Sequence, residues 1–136
     1  MDYEARIKEW IEADSARMRA LSAAASLDLP DWCLAAGFVR NLVWDKIHGF
    51  RSLTALNDID LIYFDRVDDS EDKDSAFENQ LTNLLDIPWS VKNQARMHKR
   101  NNDNPYSSTL DAMSYWPEVE TAVGAALSDS GTVTVI

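Results

Sequence analysis

Two short apolar runs constrain this chain more than any other feature. Residues 32–36 lie between Pro30 and Gly37, and residues 59–64 follow a turn-rich loop. Runs this short and this apolar predict buried strands rather than helices. Between them, residues 38–47 place Phe38, Leu42 and Asp45 on one helical stripe, with Val39, Val43 and Ile47 beside it. Gly49 follows as an exit signal. The region 29–65 therefore predicts strand, glycine turn, helix, loop and strand.

The second strand opens with Asp58-Ile59-Asp60. Side chains two apart on a strand share a face, with Cα atoms roughly 7 Å apart. Asp58 and Asp60 can thus point at one divalent cation, and carboxylate oxygens suit a hard cation such as Mg2+. The glycine lets a ligand approach the backbone, and the helix it opens offers free N–H groups to phosphate. Asp65 falls on the opposite face from Asp60 by parity and makes a poor third ligand. The other reading of these residues is plainer, with Asn57-Asp58 a turn before the strand and Asp60 a surface residue.

These residues resemble the signature of the polymerase-beta-type nucleotidyltransferase superfamily: an apolar residue, Gly, then Gly or Ser, a helix, and Asp-x-Asp on the next strand. The runs LPDWCLAAGFVRNLVWDKIHG, NDIDLIYFD, WSVKNQARMHKRN and PYSSTLDAMSYWPE together resemble a bacterial family of nucleotidyltransferase-like proteins. The resemblance spans residues 29–123. It implies an α/β (α+β) fold, a small mixed sheet flanked by helices. It also implies transfer of an NMP group from an NTP to an acceptor (a small molecule, a protein or an RNA), with Mg2+ or Mn2+ as cofactor. Asp58 and Asp60 would be catalytic metal ligands, with Gly37, Phe38, Arg40, Asn93 and Arg96 around the nucleotide.

Three departures accompany the resemblance. Phe38 replaces the expected Gly or Ser, Gly37 to Asp58 is longer than the usual spacing, and no third carboxylate is evident. The third-strand position to test is Asn93, whose amide oxygen can coordinate but brings no charge. These departures support an alternative: a catalytically weak or inactive relative that binds nucleotide or a partner protein. A structural role, with the last strand pairing between chains in a homo-oligomer, is a third reading.

Elsewhere the chain predicts scaffold. Residues 3–26 read as one amphipathic helix carrying Ile7, Trp10, Ile11, Met18, Leu21 and Ala25. The acidic run 66–75 reads as a solvated loop or helix N-terminus, followed by a helix over 76–85. Residues 87–96 read as a third strand, and Ser90, Lys92, Gln94, Arg96 and His98 would share a polar, basic face if it continued. Ser108 and Asp111 resemble a capping arrangement for a short helix to Trp116, and Pro117 would start a helix through Leu127. Residues 131–136 read as a closing strand whose exposed edge invites pairing. Related proteins continue past such a strand, so 1–136 is read as a single domain open to truncation at its C-terminus.

Length and charge narrow the function classes. A chain of 136 residues fits one domain, and a net charge of −10 opposes non-specific nucleic-acid binding. The lone Cys33 forms no disulfide framework or Cys-rich zinc site. No run is long and apolar enough to cross a membrane, and the acidic start is no signal peptide. The expectation is a cytoplasmic protein.

Overall fold

A computed structural model describes residues 3–49, 59–116, 123–128 and 130–136. The N-terminal region forms two helices where one is expected, α1 (Tyr3–Glu12) and α2 (Ser15–Ala25). Asp14 causes the break. Its carboxylate accepts from the amides of Ala16 at 3.1 Å and Arg17 at 3.4 Å, capping α2. The break lets Ile11 from α1 and Ala20, Leu21 and Ala24 from α2 all reach the core.

The middle of the chain follows the predicted order. β1 (Cys33–Ala35) is buried throughout, α3 spans Gly37–Ile47, and β2 spans Ile59–Tyr63. α4 (Glu71–Leu84) starts within the acidic run, because Glu71, Asp72 and Asp74 in its first turn complement the helix dipole. β3 (Trp89–Asn93) ends earlier than expected. The Asn93 side-chain oxygen accepts from Ala95 N at 3.0 Å and turns the chain into a 3-10 turn, Gln94–Arg96, and then α5 (Met97–Asn101). The continuous face from Ser90 to His98 is therefore overturned, since only Ser90 and Lys92 of that set belong to the strand.

α6 (Thr109–Met113) carries the expected cap, with Ser108 Oγ accepting from Asp111 N at 3.0 Å. Residues 117–122 lie outside the described residues, but the expected helix through Leu127 is corrected: Gly124–Leu127 is a strand, β4. β5 (Val133–Val135) is the closing strand. Among the described residues, no helix is long and apolar enough to cross a membrane.

The five strands form one mixed sheet in the order β3-β2-β1-β4-β5. β2 and β3 are parallel, joined by the α4 crossover, and the other neighbours are antiparallel. One face carries Leu34, Ile59, Leu61, Tyr63, Val91 and Ala125 into the main core with Phe38, Leu42 and Leu81. The opposite face has a smaller cluster, Cys33, Ala35, Ile62 and Met113, with Trp116 and Ala126 packed against it. β3 is an edge strand, and α4 covers its outward amides. Val91 N donates to Glu78 Oε1 at 2.8 Å and Asn93 N to Asp74 Oδ2 at 3.2 Å.

Candidate functional site

The site begins where β1 turns into α3. Ala36 carries the turn at φ 55° and ψ −124°, in the positive-φ region that costs a non-glycine residue of order 1–3 kcal/mol. Its methyl cannot cap the helix, and among the described residues no side chain accepts from the first-turn amides. A Cβ on Gly37 would meet Asn41 Nδ2 at 3.0 Å and Arg40 Nη2 at 3.4 Å, so both side chains fold back over the bare glycine. Arg40 is exposed, and its Nε donates to Asn41 Oδ1 at 3.3 Å. Among the described residues it pairs with no carboxylate, neither Asp31 nor Asp45. A cation beside uncapped amides is a local excess of positive potential in a strongly acidic chain.

Sheet register brings this turn to β2. Ala35 pairs with Asp60, so a half-buried carboxylate stands beside the residue that precedes the turn. The same row continues to Ser90 on one side and to Gly124, through Ala35, on the other. All four residues lie on the smaller-cluster face, and neither Ala35 nor Gly124 carries a side chain beyond Cβ. The glycine at 124 answers to Cys33, whose Sγ would lie 2.6 Å from an added Cβ. Asp58 lies outside the described residues.

The register and the turn after β3 also relocate two expected site residues. Asn93 pairs with Tyr63, on the face opposite Asp60, and is completely buried. Its oxygen accepts from Asp65 N at 3.0 Å as well as from Ala95 N, and its NH2 donates to Asp65 O at 2.8 Å and Asp68 O at 3.3 Å. Every polar atom of the amide is engaged in fastening the loop after β2. The β3 position beside Asp60 is Ser90, a hydroxyl. Arg96 ion-pairs with Asp74 and donates to Asp69 O at 3.3 Å, which ties it to α4 and its preceding loop.

Asp74 was not legible as a structural residue within an acidic run, yet it is only 4% exposed. It accepts from Tyr63 OH, Asn93 N and Arg96. The available signal was helical spacing, because positions 74, 78 and 81 share the inward stripe of α4. A cleft of about 470 Å³ opens here, lined by Asp69, Glu71, Asp74, Glu78, Lys92, Arg96 and Lys99 among others. Its carboxylates repel a polyphosphate, and two of its three cations, Arg96 and Lys99, face Asp74 and Asp69. Tyr106 and Ser108 likewise serve structure: Tyr106 OH donates to Asp103 Oδ2 at 2.6 Å, and Ser108 caps α6.

Cys33 shares the Asp60 face but is fully buried. Burial, with the charge of Asp31 adding to it, pushes its thiol up to about 12, so it remains protonated. No group of three or more His, Cys, Asp or Glu side chains able to hold a metal occurs among the described residues.

A glycine turn set against a strand that carries a carboxylate, in a mixed sheet flanked by helices, belongs to a nucleotidyltransferase-like α/β fold. A family model described as nucleotidyltransferase matches residues 22–136, and the chain belongs to that family. It is also similar, at 33% identity and a TM-score of 0.83, to a solved NMR structure described as revealing a CCA-adding enzyme head domain. That match covers 97% of this chain and 70% of the other. No curated protein matches significantly.

Proposed function

We propose that this protein is a Mg2+-dependent nucleotidyltransferase that moves an NMP group from an NTP to an acceptor hydroxyl, releasing pyrophosphate. The observation that carries the reading is the Ala35–Asp60 register, which sets the Gly37 turn beside the carboxylate strand. Family membership and the likeness to a CCA-adding enzyme head domain support it. In this reading the amides of Gly37, Phe38 and Val39 bind the triphosphate, and Arg40 closes on it from the first turn.

The donors on this face suit a hard cation. Asp60 and Ser90 offer oxygen side by side, Asp58 would add a second carboxylate by strand alternation, and Cys33 offers no thiolate. Bound there, the cation would supply charge neutralisation on the triphosphate and the departing pyrophosphate. Asp58 and Asp60 would hold it, and Ser90 would offer its hydroxyl to the neighbouring carboxylate or ligand.

Ser90 also supports a second reading, a nucleotide-binding relative with weak catalysis. A hydroxyl where a third carboxylate would stand adds no negative charge to retain a second cation.

The test is calorimetric titration of each NTP with Mg2+, beside an Asp58→Asn, Asp60→Asn double variant, with pyrophosphate release followed over a panel of acceptors. Metal-dependent NTP binding lost in the variant, with pyrophosphate release, is the expected result. Binding without release favours the second reading. Equal binding by both proteins overturns the carboxylate assignment.

A further inference from the structure

We infer that Trp116 is the wall on which the nucleobase of a bound NTP stacks. This rests on the nucleotide-binding reading above and adds what the base meets. The two faces of the sheet are unequally covered: α1 to α4 supply the large core on one side, whereas the Asp60 side has Cys33, Ala35, Ile62 and Met113 as its buried cluster. α6 brings Met113 there. Thr109 N donates to Asp31 Oδ2 at 2.8 Å and Thr109 Oγ1 to Asp31 O at 2.6 Å, anchoring the start of α6 just before β1.

Trp116 follows directly, its amide donating to Met113 O at 3.0 Å. Part of the indole packs on the small cluster, and the residue remains half-buried. The cluster it touches includes Ala35, the register partner of Asp60, and Ile62, the next residue on the same face of β2. In the row Asp60–Ala35–Gly124 the last two members are buried, so the accessible surface here belongs to the half-buried Asp60 and Trp116. A half-buried aromatic surface and a half-buried carboxylate thus stand on one face of the sheet, joined through the buried Ala35.

Its indole N–H also meets no acceptor among the described residues, in contrast to Trp89, whose Nε1 donates to Leu85 O at 3.0 Å. Every base has a π-face, so a tryptophan wall binds purine and pyrimidine nucleotides alike. Stacking on one aromatic contributes about 5- to 150-fold in affinity.

The experiment compares NTPs with inorganic tripolyphosphate, a ligand without a base, each titrated with Mg2+ into wild type, Trp116→Leu and Trp116→Phe. Trp116→Leu should weaken ATP and CTP by about tenfold or more while leaving tripolyphosphate unchanged, and Trp116→Phe should stay within about threefold of wild type. A second readout is tryptophan emission: NTP should quench it in wild type, tripolyphosphate should not, and Trp116→Phe should lose the quench. This reading survives even if the leucine variant fails to fold. Equal losses for NTP and tripolyphosphate, or a quench that persists in Trp116→Phe, overturn the inference. Wild type binding NTP no more tightly than tripolyphosphate overturns it and leaves the nucleotidyltransferase reading standing. If wild type binds neither ligand, both readings fall.

Discussion

Tyr63 donates a 2.5 Å hydrogen bond to Asp74 Oδ1, joining the last residue of β2 to the first turn of α4. The same carboxylate receives Asn93 N and Arg96. One buried anion therefore fastens the crossover helix to both strands of the parallel pair. Removing either end of this bond should be felt globally. Tyr63→Phe should cost about 1.5–3 kcal/mol, the range for a hydrogen bond to a charged group. Asp74→Ala should cost more, about 3–5 kcal/mol, because it also strands the Arg96 guanidinium. Urea midpoints at constant m-value read both.

Two buried acids make the fold sensitive to alkali. Burial, then the bond to Asp74, raises the Tyr63 phenol above its ordinary 10.0, and Cys33 rises from 9.0 to about 12. Both groups hold their proton longer in the folded state than in the unfolded chain. Their contribution is complete below the unfolded values and is lost as pH rises through the folded ones. Stability should thus decline from about pH 9 upward, and less steeply in Cys33→Ala and Tyr63→Phe. Urea unfolding across pH 8 to 11 tests the slope, and a thiol reagent at pH 8 should modify Cys33 only after unfolding.

Gly124 and Cys33 form a steric pair across β1 and β4. An added Cβ would lie 2.6 Å from Cys33 Sγ, so Gly124→Ala should destabilise by about 1–3 kcal/mol. Removing the sulfur in Cys33→Ala should rescue part of that loss. A double-mutant cycle by thermal unfolding should return a clear coupling between the two positions.

Two arginines should separate binding from stability. Arg40 is exposed at the first turn of α3, whereas Arg96 is held by Asp74. Arg40→Ala should weaken NTP binding several-fold with stability changed by less than about 0.5 kcal/mol. Arg96→Ala should lower stability by about 3 kcal/mol and leave NTP affinity alone. Calorimetry and urea unfolding on the same two variants decide it.

The part of the fold legible in the sequence was the part fixed by local pattern. β1, α3 and β2 followed from short apolar runs, a glycine and an amphipathic stripe. The break at Asp14 was missed because apolar spacing runs on through it, while the local capping bond wins. β4 was missed because Gly-Ala-Ala-Leu has no strand signature of its own and becomes a strand by pairing with β1 and β5. At the site, the glycine turn and Asp60 came together as expected. Asn93 did not, because a face across neighbouring strands depends on register, which no single run encodes. Trp116 reaches the Asp60 face only through the docking of Thr109 on Asp31, a contact between residues far apart in the chain.

The carboxylates that occupy the outer amides of β3 also give the sheet a direction. Glu78 and Asp74 take the two donors that an incoming strand would need there, and their charge would meet its carbonyls unfavourably. At the far end, the bonds between Gly124 and Ile136 and between Ser128 and Thr132 aim those residues at β4, and by alternation leave the amides of Val133 and Val135 facing outward. A domain built this way is closed to an additional strand on its β3 side.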